Sequence, residues 1–195
     1  MQINSIAVFC GSSSGFEIIY ERHAQLLGER LVAQKIELIY GGADVGLMGV
    51  LATSVVNNGG KVIGVLPHFL KDKEIAHRKL TELIYVDTMH QRKLMMNELS
   101  DGIIALPGGF GTMDELFEIL TWAQLGLHQK PIAILNIDGF FDDLLLFIDT
   151  MIKKGFLKQI NKELLLVAND IDTLFEKLYN YQIPKTDKWI KKGDV

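Results

Sequence analysis

The chain has 195 residues, a size at which a single domain hides roughly 70% of the surface its unfolded form would expose, so a sizeable core is within reach. Hydrophobic residues make up 48% and charged residues 23%, and no apolar stretch reaches the ~18–20 residues needed to span a bilayer, which argues against both disorder and a membrane helix. The net charge of -4 and pI of about 5.7 leave no global basic field to recruit nucleic acid, so an anionic ligand has to be caught by a local site.

Short β-rich runs alternate with longer helical patterns. A strand is predicted from Ile6 to Cys10, then a helix from Glu17 to Gln34, a strand from Ile36 to Tyr40 and a helix from Leu47 to Asn58. Strands from Val62 to Leu66 and Leu83 to Val86 precede a helix from Met89 to Ser100. A strand from Gly102 to Leu106 leads to a helix from Met113 to Leu127, and a strand from Ile132 to Asn136 to a helix from Phe140 to Lys154. The series closes with a strand from Leu164 to Val167 and a helix from Ile171 to Asn180. This alternation is the mark of βαβ crossovers, and a uniformly apolar strand such as Ile103-Ile104-Ala105-Leu106 implies burial on both faces. The expected fold is α/β, a doubly wound, mostly parallel sheet of about seven strands with helices on both faces. Residues 1–180 form one expected domain and 181–195 a polar tail. The start lacks the features of a secretory leader, and the single Cys10 can form neither an internal disulfide nor a multi-cysteine metal site, so a cytoplasmic setting is expected.

Ligands of open α/β sheets sit beyond the carboxyl ends of the strands. Three strand-ending loops there are glycine-rich: Cys10 to Gly15, Gly41 to Gly49 and Pro107 to Thr112. Each joins glycine to a helix start, where backbone N–H groups and about half a positive charge converge on an anion. Tight βα turns alone would also use glycine. None of the loops is G-x-G-x-x-G or carries the Lys-Ser/Thr of a P-loop, which leaves a monophosphate as the economical ligand.

Arg92 projects onto the apolar face shared by Met95, Met96 and Leu99, in a first helical turn whose dipole disfavours a cation. Either an anion lies nearby or the stem packs while the head snorkels to water. Glu115 also has two readings. Thr112-Met113-Asp114-Glu115 satisfies a capping box, and the same carboxylate stands at the ligand edge of the sheet, beside an anion-binding loop. Asp114 and Glu118 share its polar arc. Trp122 and Leu125 interrupt that arc and fit either a second subunit or an internal contact. The five histidines, His23, His68, His77, His90 and His128, show no metal-ligand spacing, and no metal is expected.

Pro107-Gly108-Gly109-Phe110-Gly111-Thr112-Met113-Asp114-Glu115 resembles the PGGxGTxxE signature of the Lonely Guy family, and Met89-His90-Gln91-Arg92-Lys93 resembles its companion Arg-Lys motif. The resemblance covers nearly the whole chain and includes Cys10-Gly11-Ser12-Ser13, Tyr40-Gly41-Gly42, Gly46-Leu47-Met48-Gly49 and Thr121 to Gly126; Asp114 departs from the glutamate of many members. It implies a Rossmann-like domain and a phosphoribohydrolase that cleaves cytokinin riboside 5′-monophosphates, or AMP, to free base and ribose 5-phosphate. It further implies that Arg92 and Glu115 are the catalytic pair, and that Lys93, Gly108, Gly109, Gly111, Thr112 and Thr121 bind the nucleotide. Glu74 looks like a further ligand position, and Gly11, Ser12, Gly41 and Gly42 are expected at the substrate from the other two loops. Many members were once labelled lysine decarboxylases, but nothing here argues for a Schiff-base lysine or a cofactor cradle, so no cofactor is expected. The expected partners are a nucleoside 5′-monophosphate and a second copy of the chain, with neither nucleic acid nor membrane. A broad nucleoside 5′-monophosphate nucleosidase and a non-catalytic nucleotide-binding or carrier module remain as alternatives.

Overall fold

The structure, a computed structural model, describes residues 2–70, 77 and 79–184. Seven strands, β1 Ser5–Phe9, β2 Glu37–Tyr40, β3 Val62–Pro67, β4 Glu82–Val86, β5 Gly102–Ala105, β6 Ile132–Leu135 and β7 Leu165–Ala168, form one sheet. The order is β4-β3-β2-β1-β5-β6-β7, and every neighbouring pair runs parallel. The strands β1, β3, β5 and β6 are buried at every position, as a sheet covered on both faces requires.

Between and after the strands run α1 Ile18–Ala33, α2 Gly46–Asn57, α3 Met89–Leu99, α4 Phe110–Leu125, α5 Asp142–Lys153, the short α6 Gln159–Lys162 and α7 Ile171–Tyr179. The side chains of β1 show how the layers divide. Ile6 and Val8 face a core built by α1, α2 and α7, while Ala7 and Phe9 face a second core built by α3, α4 and α5. The fold is therefore the Rossmann-like, doubly wound sheet that the alternation of elements implies. Strand order reverses at β1, which pairs with β2 on one side and β5 on the other, and this reversal opens the crevice in which such sheets bind ligands.

Two expectations fall partly or wholly outside the described residues: Glu74, and the C-terminal tail beyond residue 184. Of that tail, Tyr181 is half-buried and Pro184 buried. Among the described residues no helix is long and apolar enough to cross a membrane.

Candidate active site

Three strand ends meet at the reversal point and are tied by their backbones. The Gly11 N–H donates to the Pro107 carbonyl at 3.0 Å, the Gly11 carbonyl accepts from Leu47 N–H at 3.1 Å, and Leu106 N–H donates to the Phe9 carbonyl at 2.9 Å. The loops after β1 and β5 pack so closely that a Cβ on Gly108 would lie 2.2 Å from Thr112 Oγ1 and 2.8 Å from the Gly11 nitrogen. Gly11 thus serves the packing with its N–H and lines the site without offering that group to a ligand. The N–H groups at the start of α4 are placed differently. Gly109 is the N-cap of α4, and the first intrahelical bond runs from Met113 N–H to the Gly109 carbonyl at 3.1 Å. The N–H groups of Phe110, Gly111 and Thr112 precede that bond and belong to the helix's free positive end. Ideal Cβ atoms on Gly109 and Gly111 would meet nothing within 4 Å, so this end opens onto space.

The same observation decides one of the two readings of Glu115. Helix α4 starts at Phe110, three residues earlier than the predicted Met113, because the Gly108-Gly109 turn places Thr112 already inside the first turn, where it is buried. Thr112 is not a cap, so the Thr112–Glu115 capping box does not form. A capping box forms instead on α3, where the Thr88 hydroxyl accepts from Gln91 N–H at 3.1 Å and the Gln91 side chain accepts from Thr88 N–H at 3.1 Å. The Thr-x-x-Gln signal was present in the sequence one residue before the predicted helix.

Arg92 sits in the first turn of α3 and is only 6% exposed, which removes the snorkelling reading. Its Nη2–H donates to the Gly41 carbonyl at 3.0 Å, and its Nη1–H points at the Met89 sulfur at 3.9 Å. Among the described residues its buried Nε has no hydrogen-bond partner. A Cβ at Gly41 would fall 1.9 Å from Nη2 and 3.0 Å from the Met48 sulfur, so any side chain there would displace the guanidinium. Arg92 and Glu115 line one cavity of about 420 Å³, together with Gly11, Ser12, Gly41, Gly109, Gly111 and Thr112. Both charges reach the buried Cys10 thiol in the same cavity wall. Burial and then the Glu115 carboxylate push that thiol far above its ordinary range, against the pull of Arg92, so Cys10 stays protonated and is a packing residue rather than a nucleophile.

The remaining expected ligands are placed elsewhere. The buried Lys93 ammonium lies 3.0 Å from Asp114 Oδ2 and 3.0 Å from Glu118 Oε2 and is not part of the cavity wall. Burial alone would lower its pKa, but hydrogen bonds to Glu118 and Asp114 and their charges raise it above the ordinary lysine value. Thr121 is exposed, donates to the Phe117 carbonyl at 2.7 Å, and sits roughly 13 Å beyond Thr112 along α4 at 1.5 Å per residue. Gly42 accepts from His77 N–H at 3.2 Å through its carbonyl and does not line the cavity; nor does Gly108. Trp122 is half-buried against the core between the sheet and α3–α5, so at least part of its ring makes an internal contact.

The sequence reading missed several cavity residues. Met48, Phe69, Leu70, Met89 and Phe110 form an apolar surround, with Phe69 56% and Phe110 97% exposed. Phe110 stood inside the quoted glycine motif, and its full exposure follows from its place as the first residue of α4. Of the two methionines that share the Arg92 face, Met96 lines the cavity and Met95 packs against the core. A larger groove of about 590 Å³ runs along α2 between Ser14, Asp44, Thr53 and Asn57, and none of the described residues that line it is basic.

The family model described as possible lysine decarboxylase matches residues 48–178. The cytokinin riboside 5′-monophosphate phosphoribohydrolase LOG2 of Arabidopsis thaliana is 44% identical over 187 residues, covering 96% of this chain and 87% of its own. The chain belongs to the Lonely Guy family. A second Lonely Guy relative, the probable cytokinin riboside 5′-monophosphate phosphoribohydrolase LOGL2 of Oryza sativa subsp. japonica, is 46% identical over 187 residues, 96% of this chain and 76% of its own. Among solved structures, the molybdenum cofactor binding protein of Rippkaea orientalis superposes with a TM-score of 0.67 at 21% identity, over 92% of this chain and 97% of that one. The molybdenum cofactor carrier protein of Chlamydomonas reinhardtii gives 0.66 at 20% identity, over 91% and 97%. The fold is thus shared with these two proteins, and at such identities the likeness concerns the fold alone.

Proposed function

We propose that the protein hydrolyses the N-glycosidic bond of nucleoside 5′-monophosphates, cytokinin riboside 5′-monophosphates or AMP, to free base and ribose 5-phosphate. The observation that carries this reading is that α3 and α4 bring a cation, Arg92, and a carboxylate, Glu115, with Asp114 beside it, to the wall of a cavity into which the free N-terminus of α4 also opens. The N–H groups of Phe110, Gly111 and Thr112 bind the 5′-phosphate, helped by the helix dipole. Breaking the C1′–N bond leaves an oxocarbenium-like sugar, and the Glu115 carboxylate stabilises it and draws a proton from the attacking water, a proton that is passed through solvent to the departing base. Arg92, held from behind by the Gly41 carbonyl, fixes a phosphate or ribose oxygen through charge-assisted bonds worth about 1.5–3 kcal/mol. Met48, Met89 and Met96 give the base an apolar wall, and the exposed rings of Phe69 and Phe110 offer it stacking faces. The names of the relatives support the same substrate class. The protein works in this reading as a cytoplasmic homodimer, supported by Leu127, 45% exposed just past α4, and the half-buried Trp122 and Leu125 beside it.

The test is a panel of nucleosides and nucleoside 5′-monophosphates, with released base followed by chromatography. AMP should be cleaved and adenosine barely so, because the helix-end amides act on the phosphate and not on the base. Equal cleavage of the two would remove the phosphate site. AMP binding without any base release would leave the carrier module as the surviving reading.

A further inference from the structure

Lys93 follows Arg92 in the motif, and its neighbour's role invites the view that it too holds the nucleotide. Its surroundings point to another task. The ammonium is buried on α3 and lies 3.0 Å from each of two carboxylates, Asp114 Oδ2 and Glu118 Oε2. Those two acids stand one turn apart on α4, on either side of Glu115 in sequence. A lysine has three N–H donors, and two of them are taken. One positive charge facing two negative ones gives a local excess of negative charge, so a phosphate drawn there would meet two carboxylates at close range. Asp114 itself lines the cavity, and Lys93 does not. Among the described residues the cation that lines the cavity is Arg92, and the start of α4 opens onto it.

We propose that Lys93 is a positioning residue: by clamping α3 to α4 through Asp114 and Glu118 it sets the placement of Arg92 relative to Glu115, and it does not ligate the phosphate. The proposal rests on the hydrolase reading above for its activity readout. The physical basis is that the two reacting side chains sit on different helices. Arg92 is the residue before the clamp's cation, and Glu115 is the residue after its first carboxylate. A displacement of about 1 Å between groups held for catalysis can lower turnover on the order of a hundredfold. The clamp is buried on the lysine side and largely on the Glu118 side, so the Lys93–Glu118 pair is screened by salt less than the pair with the exposed Asp114.

The experiment uses the full chain and the variants Lys93→Met, Asp114→Asn, Glu118→Gln and the double Asp114→Asn/Glu118→Gln. For each, kcat and KM with AMP, the Kd of ribose 5-phosphate by calorimetry, and Tm are measured. The expected result for Lys93→Met is a fall in kcat of at least about tenfold, with KM and the ribose 5-phosphate Kd within about threefold of the parent. Each single carboxylate variant should lose less, because the other acid still holds the lysine, and the double variant should match Lys93→Met. A tenfold weaker Kd for ribose 5-phosphate in Lys93→Met, with kcat retained, overturns the proposal, and so does full turnover in the double carboxylate variant. If Lys93→Met does not fold, the double carboxylate variant decides alone, since a phosphate-binding lysine relieved of two acids should bind ribose 5-phosphate at least as well and keep its turnover. If the unmodified protein releases no base from AMP, the hydrolase reading fails, and the Kd comparison still judges Lys93: tenfold weakening makes it a ligand, unchanged binding removes it from the ligand set.

Discussion

Glu115 and Arg92 differ in how much of their role a reader of the sequence could recover. A cation projected onto an apolar helical face was visible without coordinates, and its burial against the Gly41 carbonyl follows from the same placement. Glu115 was not decidable in that way, because its two readings depended on whether the helix started at Phe110 or at Met113, and that is set by how the Gly108-Gly109 turn packs on Gly11. With Gly109 as the cap, Glu115→Gln has no cap to lose. The variant should keep its Tm, still bind AMP, and lose about 10²–10⁴ in turnover, roughly 3–5 kcal/mol of transition-state stabilisation. Turnover within threefold of the parent would move the catalytic role to another acid of the cavity. Arg92→Ala should lose turnover as well, and the double variant should be little worse than either single one if the pair acts as a unit. Cys10 gives a contrasting expectation: its thiol stays protonated, so iodoacetamide at pH 8 should leave activity intact over hours, whereas rapid inactivation with label on Cys10 would contradict its burial.

The helix starts and ends, rather than the helices themselves, carry the predictions at the next scale. Among the described residues, all six long helices and all seven strands were legible from alternating patterns, and their boundaries moved by a residue or two except at the start of α4. The short α6 and the 3₁₀ turn His68–Leu70 were not, since a single turn has no periodicity to read. At the start of α4 two glycines should behave differently. Gly108→Ala forces a Cβ to within 2.2 Å of Thr112 Oγ1 and should lower both Tm and turnover. Gly111→Ala meets nothing within 4 Å and should keep its Tm while raising KM for AMP, because the methyl enters the cavity. Equal Tm losses for the two would show that the helix start is not packed as described. Past the far end of α4, His128 Nε2–H donates to the Ile119 carbonyl at 2.9 Å and Nδ1 accepts from Lys130 N–H at 3.2 Å, an arrangement that requires the neutral ring. Burial lowers the His128 pKa, the Ile119 carbonyl opposes this in part and Lys130 adds to it. A base with a lowered folded pKa contributes stability that is complete above its unfolded value of about 6.5 and is lost as the pH falls through the folded one. Tm should therefore drop on acidification below about pH 6.5, and His128→Gln should flatten that drop; parallel curves for the two proteins would break the link.

For the molecule as a whole, sedimentation at micromolar concentration should report about twice the 21.9 kDa of one chain, and Leu127→Glu should shift it toward one. A monomer for the unmodified protein would remove the homodimer. The sheet class and the three glycine loops were readable because alternation and strand-end glycine are local signals. The apolar surround of Met48, Phe69 and Met89 was not, because those residues come from segments that meet only when the sheet has assembled. That dependence has a kinetic side. Strand β1 gains its β5 neighbour, and Gly11 its bond to Pro107, only after about half the chain has been brought back to its beginning. Closing loops of that length raises the entropic barrier and places parallel sheets among the slower folds. During refolding from denaturant, helical signal should therefore recover first, while AMP cleavage waits for the slowest phase, since no partly folded chain owns both sides of the crevice.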